Sequence, residues 1–192
     1  MIRKTGLLIP ILLMLVVSST YGRVSIYAGG GISTPILPKD FTEIVKTGST
    51  IYFGMGVRYY KLNEFTLGVS FDHLPANRDN ENYNWGSIDI TTLLLDFRIR
   101  GLNDYQRKFR KHLVASIGFS TLDYKATGFG SLSRLALGAG VGVEYKMSKH
   151  NFLWLDIKAN VMTGIKNKQN YDGMSRVCLN IYGGFRYNMG NW

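Results

Sequence analysis

Residues 135–145, Leu-Ala-Leu-Gly-Ala-Gly-Val-Gly-Val-Glu-Tyr, alternate strictly between two kinds of side chain. Leu135, Leu137, Ala139, Val141, Val143 and Tyr145 share one face of an extended chain, and Ala136, Gly138, Gly140, Gly142 and Glu144 share the other. A period of two is the signature of a strand that separates two different environments. The same period runs through residues 51–59, 65–72, 93–100, 113–119, 153–161 and 177–187, and residues 24–32 supply a further run blurred by Gly29, Gly30 and Gly31. Eight strands are expected. Across them the apolar face carries no charge, whereas the opposite face carries Arg58, Asp72, Asp96, Arg98, Arg100, Glu144, Asp156, Lys158 and Arg186. A Lys or Arg turned toward lipid at mid-bilayer costs about 2–4 kcal/mol, so a face cleared of charge is what hydrocarbon requires. A soluble barrel would point its apolar face inward and place charge outside. The glycines crowd the charged face, which suits a narrow interior. The fold expected is an all-β, closed, eight-stranded antiparallel up-and-down transmembrane barrel with its polar face inside.

Composition agrees with that reading. The 192 residues include 22 Gly and one Cys, with 45% hydrophobic, 13% aromatic and 19% charged residues, and 23 basic side chains against 13 acidic ones. A chain so rich in apolar and aromatic residues can offset the entropy of ordering itself, which excludes disorder, and a single Cys excludes a disulfide scaffold. The mean hydropathy of −0.03 is far too low for a bundle of membrane helices. Residues 1–22 stand apart: Arg3 and Lys4 precede an apolar stretch from Leu7 to Val17, and Ser18 to Gly22 are small or polar. That order is the one of a cleaved signal peptide, and the stretch is too short to span the ~30 Å hydrocarbon core as a helix. The domains expected are a signal peptide, 1–22, and a barrel, 23–192. Removing the peptide takes two positive charges from the formal +10, leaving about +8.

The connections alternate in length. Residues 61–64 and 147–151 are short, and residues 33–49, 73–87, 120–131 and 163–174 are long and polar, as periplasmic turns and external loops are in outer-membrane barrels. Residues 101–112 break the rule with a long basic stretch containing Arg107, Lys108, Arg110 and Lys111. Aromatic residues on the apolar face gather at strand ends: Tyr59, Phe65, Phe97, Tyr145, Phe185 and Tyr187 beside the short turns, Phe71 and Phe119 toward the long loops. Such rings prefer the headgroup depth and would form two girdles.

In strand number, alternation, loop asymmetry and aromatic C-terminus the chain resembles the small eight-stranded outer-membrane barrels of Gram-negative bacteria, typified by the transmembrane domain of outer-membrane protein A and by outer-membrane protein X. The resemblance spans residues 23–192. It implies residence in the bacterial outer membrane, contact with outer-membrane lipids including lipopolysaccharide, and a C-terminal signal for the barrel-assembly machinery at Phe185, Tyr187 and Trp192, although Trp192 is out of phase with the other two. A monomer is expected, with no nucleic-acid partner and no cofactor or metal.

Inside, Arg58, Asp96, Arg98, Arg100, Glu144, Asp156, Lys158 and Arg186 are expected to meet as a lumen ion-pair network near the periplasmic end, three acids against five bases. Tyr52, Trp154 and Tyr182 are expected to line the lumen. Eight strands leave an interior that side chains can fill. The function expected is a structural or surface-interaction role. The alternative is a narrow, porin-like channel for ions or small solutes, opened by re-pairing of these charges. A further alternative is a lipid A-modifying enzyme centred on His73, beside Asp72 and near Asp79, but the sequence sets no Ser within hydrogen-bond reach of it and no catalytic residues are assigned. His112 and His150 read as turn residues.

Overall fold

In a computed structural model of the chain, the described residues are 24–60, 63–77, 86–101, 107–125, 131–164 and 175–189, with the side chains of residues 59 and 60 outside the description. The expected signal peptide and Trp192 lie outside them. Eight strands form one closed sheet in sequence order: β1 (Val24–Leu37), β2 (Gly48–Tyr60), β3 (Asn63–Leu74), β4 (Ile88–Arg100), β5 (Phe109–Tyr124), β6 (Ser131–Lys146), β7 (Asn151–Met162) and β8 (Arg176–Met189). Every neighbouring pair is antiparallel, and β1 closes the barrel on β8 from Val24↔Met189 to Leu37↔Val177.

Burial is inverted relative to a soluble protein. Leu113, Ile117, Phe119 and Phe185 are more than half exposed on the outer wall, while Arg98 and Arg186 have no exposed surface at all. Period two explains both facts at once, because successive side chains of a strand leave the sheet on opposite sides. Among the described residues the wall carries no charged side chain between the rims; His73, Asp89, Lys111 and Asp123 sit on it only near strand ends. Glycine matters where the lumen is tightest. A Cβ at Gly142 would collide with the Asp156 carboxylate and the His112 ring, and one at Gly68 would collide with the Tyr52 ring.

The strands are longer than the alternation alone indicates, running also to Leu74 and Tyr124 inside the expected loops 73–87 and 120–131, and this corrects further expectations. Residues 33–49 are not one long loop: β1 continues to Leu37, β2 starts at Gly48, and a six-residue helix α1 (Lys39–Ile44) lies between them. Residues 109–112 belong to β5 and not to the basic connection, so Arg110 and His112 turn inward and are buried. Glu64 belongs to β3 and not to the preceding turn, and it too is fully buried. In each case ladder hydrogen bonds to a neighbouring strand extend the strand through residues whose polarity reads as loop.

Helix α1 is far too short to hold itself together, so packing must hold it. Its Phe41, with Val45, joins Leu74, Ile88, Ile90, Leu122, Tyr124, Met162 and Cys178 in an apolar cluster across the long-loop mouth of the barrel. The backbone fastens this cap: Lys46 N–H donates to Pro75 O at 2.9 Å, and Asn77 N–H donates to Ile44 O at 2.8 Å.

Ile117, midway along the exposed face of β5, tests the wall. In phospholipid vesicles, Ile117→Lys is expected to destabilise the barrel by about 2–4 kcal/mol and Phe109→Lys, at the strand end, by about 0–1 kcal/mol, as read by denaturant unfolding.

Candidate functional site

The inward side chains stack in layers along the barrel. Nearest the short turns, Glu144 of β6 accepts from Arg100 of β4, with Nη2 at 2.6 Å and Nε at 3.1 Å, and also from Nη1 of Arg186 of β8. Glu64 of β3 completes the set, lying 3.0 Å from Arg100 Nη1 and 3.6 Å from Arg186 Nη1. The Tyr27 hydroxyl donates to Glu64 Oε2 at 3.0 Å and accepts from Arg100 at 3.2 Å and from Arg186 at 3.3 Å. Two carboxylates, two guanidiniums and one hydroxyl from β1, β3, β4, β6 and β8 thus neutralise one another. Arg58, buried in β2, faces Glu64 in register across the hairpin.

The next layer mixes charge with rings. Lys158 Nζ donates to Asp96 Oδ1 at 3.1 Å, and Asp96 also accepts from Ser116 at 2.6 Å and Tyr52 at 3.0 Å. Arg98 Nη2 lies 2.9 Å from Asp156 Oδ2, and His112 Nε2 lies 2.8 Å from Asp156 Oδ1. Tyr52 and Tyr182 stack with centroids 5.3 Å apart, and Trp154 meets both, and Tyr27, edge-on. Arg98 lies over the Tyr27 ring, 4.8 Å from its centroid, and Lys158 lies 5.6 Å from that of Tyr182. A cation held on the face of a ring is stabilised by the ring quadrupole while it stays paired. Above this layer Asp72 accepts from Asn180 at 3.2 Å, the hydroxyls of Thr92 and Ser120 are 2.8 Å apart, and the apolar cap follows.

All eight residues expected in the network are buried in the lumen, and Tyr52, Trp154 and Tyr182 form one cluster. Sequence reasoning missed Tyr27, Glu64 and His112. A signal was present, since Glu64 continues the polar parity of Thr66, Gly68 and Ser70, and His112 that of Val114 and Ser116. Among the described residues no group of three or more His, Cys, Asp or Glu is placed to hold a metal.

On the outer rim His73 is not held by Asp72, which points inward, and Asp79 lies outside the described residues. Its Nδ1 lies 2.6 Å from Asp89 Oδ1. Lys125, past the end of β5, donates to Asp123 and lies 3.0 Å from Asp89, contacts that raise its pKa above the usual lysine value. Ser49 is the residue opposite His73 on β2. Of the expected girdle, Phe65, Phe71, Phe119, Tyr145, Phe185 and Tyr187 are exposed on the wall, and Phe97 packs against Phe65 with centroids 5.1 Å apart.

Removing one partner of a buried ion pair leaves a charge uncompensated, at a cost of about 3–5 kcal/mol. Glu144→Ala, which strands both Arg100 and Arg186, is expected to lose at least that in vesicle unfolding, and Glu43→Ala, on the exposed helix, close to none.

No protein-family model matches the chain, and no curated protein matches it. Among solved structures it is similar to Neisserial surface protein A, with a TM-score of 0.63 and 13% identity over 86% of this chain and 96% of that one. It is also similar to the N-terminal β-barrel domain of Pseudomonas aeruginosa OprF, with a TM-score of 0.53 and 12% identity over 88% and 98% of the two chains. Identities this low speak for the fold. With its strands closed in sequence order, its apolar wall and its charged lumen, the chain has the fold of the small eight-stranded outer-membrane barrels.

Proposed function

We propose that the chain is a bacterial outer-membrane barrel that works through its surfaces, in a structural or surface-interaction role, and not by transport along its lumen. The observation that carries this reading is the filling of the interior. An ion-paired layer around Glu144, an aromatic and ionic layer around Trp154, and the apolar cap around Phe41 follow one another along the axis. A solute would have to part all three. Conduction along the ionic layers would require Arg98 and Lys158 to leave Asp156 and Asp96 while still buried, and an unpaired buried charge is strongly unfavourable.

A catalytic reading has one observation in its favour. Ser49, His73 and Asp89 follow one another across β2, β3 and β4 on the outer face, in the order of nucleophile, base and orienting acid.

Planar-bilayer recording of the refolded protein tests the first reading. Wild type, Asp156→Ala and Phe41→Ala are expected to give no discrete conductance steps, and steps in wild type would overturn it. For the second, lipid A mass spectra from cells with the wild-type gene and with Ser49→Ala are expected to be identical, which would dispose of catalysis.

A further inference from the structure

The outer wall is not uniform. A cavity of about 590 Å³ is set into it across β4 to β7, close to the short-turn end. Its lining falls into two transverse rows by strand register. One row is Ile99, Leu113, Val141 and Ile157; the row nearer the turns is Lys111, Val143 and Leu155. Arg100 and His112 also border the trough, with their side chains buried in the lumen; its outward-facing side chains are otherwise apolar and end at the lower edge on one lysine, Lys111.

Among the described residues the exposed charge around it is of one sign. Arg107, Lys108, Lys111, Lys146 and Lys149 all lie at this end, and the Lys146 N–H donates to Lys108 O at 2.7 Å, which brings their two segments side by side. Among the described residues every carboxylate that is not buried (Asp40, Glu43, Asp89 and Asp123) lies at the opposite end. Glu144, the nearest acid on the same strand, points inward and is spent on Arg100 and Arg186.

An apolar trough in a membrane wall that ends on a cation, at the depth where headgroups lie, fits an amphiphile with acyl chains and an anionic head. We propose that it binds one anionic glycerophospholipid of the leaflet at the turn end, with its acyl chains on Val141, Val143, Leu155 and Ile157 and its phosphate on Lys111, beside the cluster of Arg107 and Lys108. The proposal rests on the membrane reading above and deepens it by naming a lipid class, a leaflet and a site. The occupant is a phospholipid and not lipid A, because the trough lies at the short-turn end, and short turns face the periplasm in outer-membrane barrels.

The test is native mass spectrometry of the full barrel released from nanodiscs of mixed phosphatidylglycerol and phosphatidylcholine. One phosphatidylglycerol is expected to stay bound in preference to phosphatidylcholine, and less of it as salt rises. Lys111→Gln is expected to lower its retention about fivefold, the weight of one lysine against an anionic surface. Val143→Trp, which fills the trough without changing charge, is expected to lower it as well, and Lys39→Gln at the opposite end to leave it unchanged. Equal retention of the two lipids, an unaffected Lys111→Gln variant, or displacement of the phospholipid by added lipid A would each overturn the proposal. Heat-modifiable migration, run on every variant, reports folding and insertion separately. A wild-type barrel that fails to insert therefore counts against the membrane reading, and one that inserts but retains no lipid counts against the site alone.

Discussion

A sheet in hydrocarbon has no water to satisfy its edges, so every backbone N–H and C=O must find a partner within the sheet. The pairing of β1 with β8 meets that constraint, and the other features of the molecule follow from it. Closure makes one face of every strand an outside and the other an inside. The outside must then be free of charge between the rims. The inside of an eight-stranded barrel is too narrow for a water column, so whatever polar groups enter it have to satisfy one another.

That requirement shapes the lumen. Glu144 and Glu64 face Arg100 and Arg186 across the barrel, and the Tyr27 hydroxyl binds both sides, so the layer joins strands that are not sheet neighbours. Buried ion pairs of this kind add little net stability over well-packed apolar groups, but they are demanding about geometry. A register slip of one residue would turn Arg98, Arg100 and Asp96 onto the lipid wall and bring Phe97 and Ile99 inside. The network therefore selects this closure over its alternatives. Its cost in conformational freedom falls on the glycines opposite, which leave space for Tyr52 and for the Asp156 and His112 pair.

The two ends of the barrel differ in kind. At the long-loop mouth, α1 lays Phe41 onto an apolar cluster and the chain covers its own lumen. At the turn end the exposed charged side chains among the described residues are basic, next to an apolar trough in the wall. One end is closed by packing within the chain, and the other carries exposed basic side chains.

Much of this was legible in residues 135–145 and their counterparts, because alternation is a local property. Whether Leu137 or Gly138 faces lipid depends only on parity, and parity survives any choice of neighbouring strand. Strand number, the polar interior and the burial of Arg98, Asp156 and Lys158 could therefore be read from the chain alone. Strand ends could not, since Glu64 and His112 look like turn residues until a partner strand extends the ladder past them. Pairing across the lumen could not either: Arg100 meets Glu144 from 44 residues away, and His73 meets Asp89 and not its neighbour Asp72. The cap is the clearest case. Nothing in Lys39 to Ile44 distinguishes a helix from a loop, and only the apolar mouth made by strands distant in sequence gives Phe41 a place to be buried. The sequence by itself determined which side of each strand meets lipid; closure decided which side chains meet each other, because those contacts depend on register and on distance around the ring.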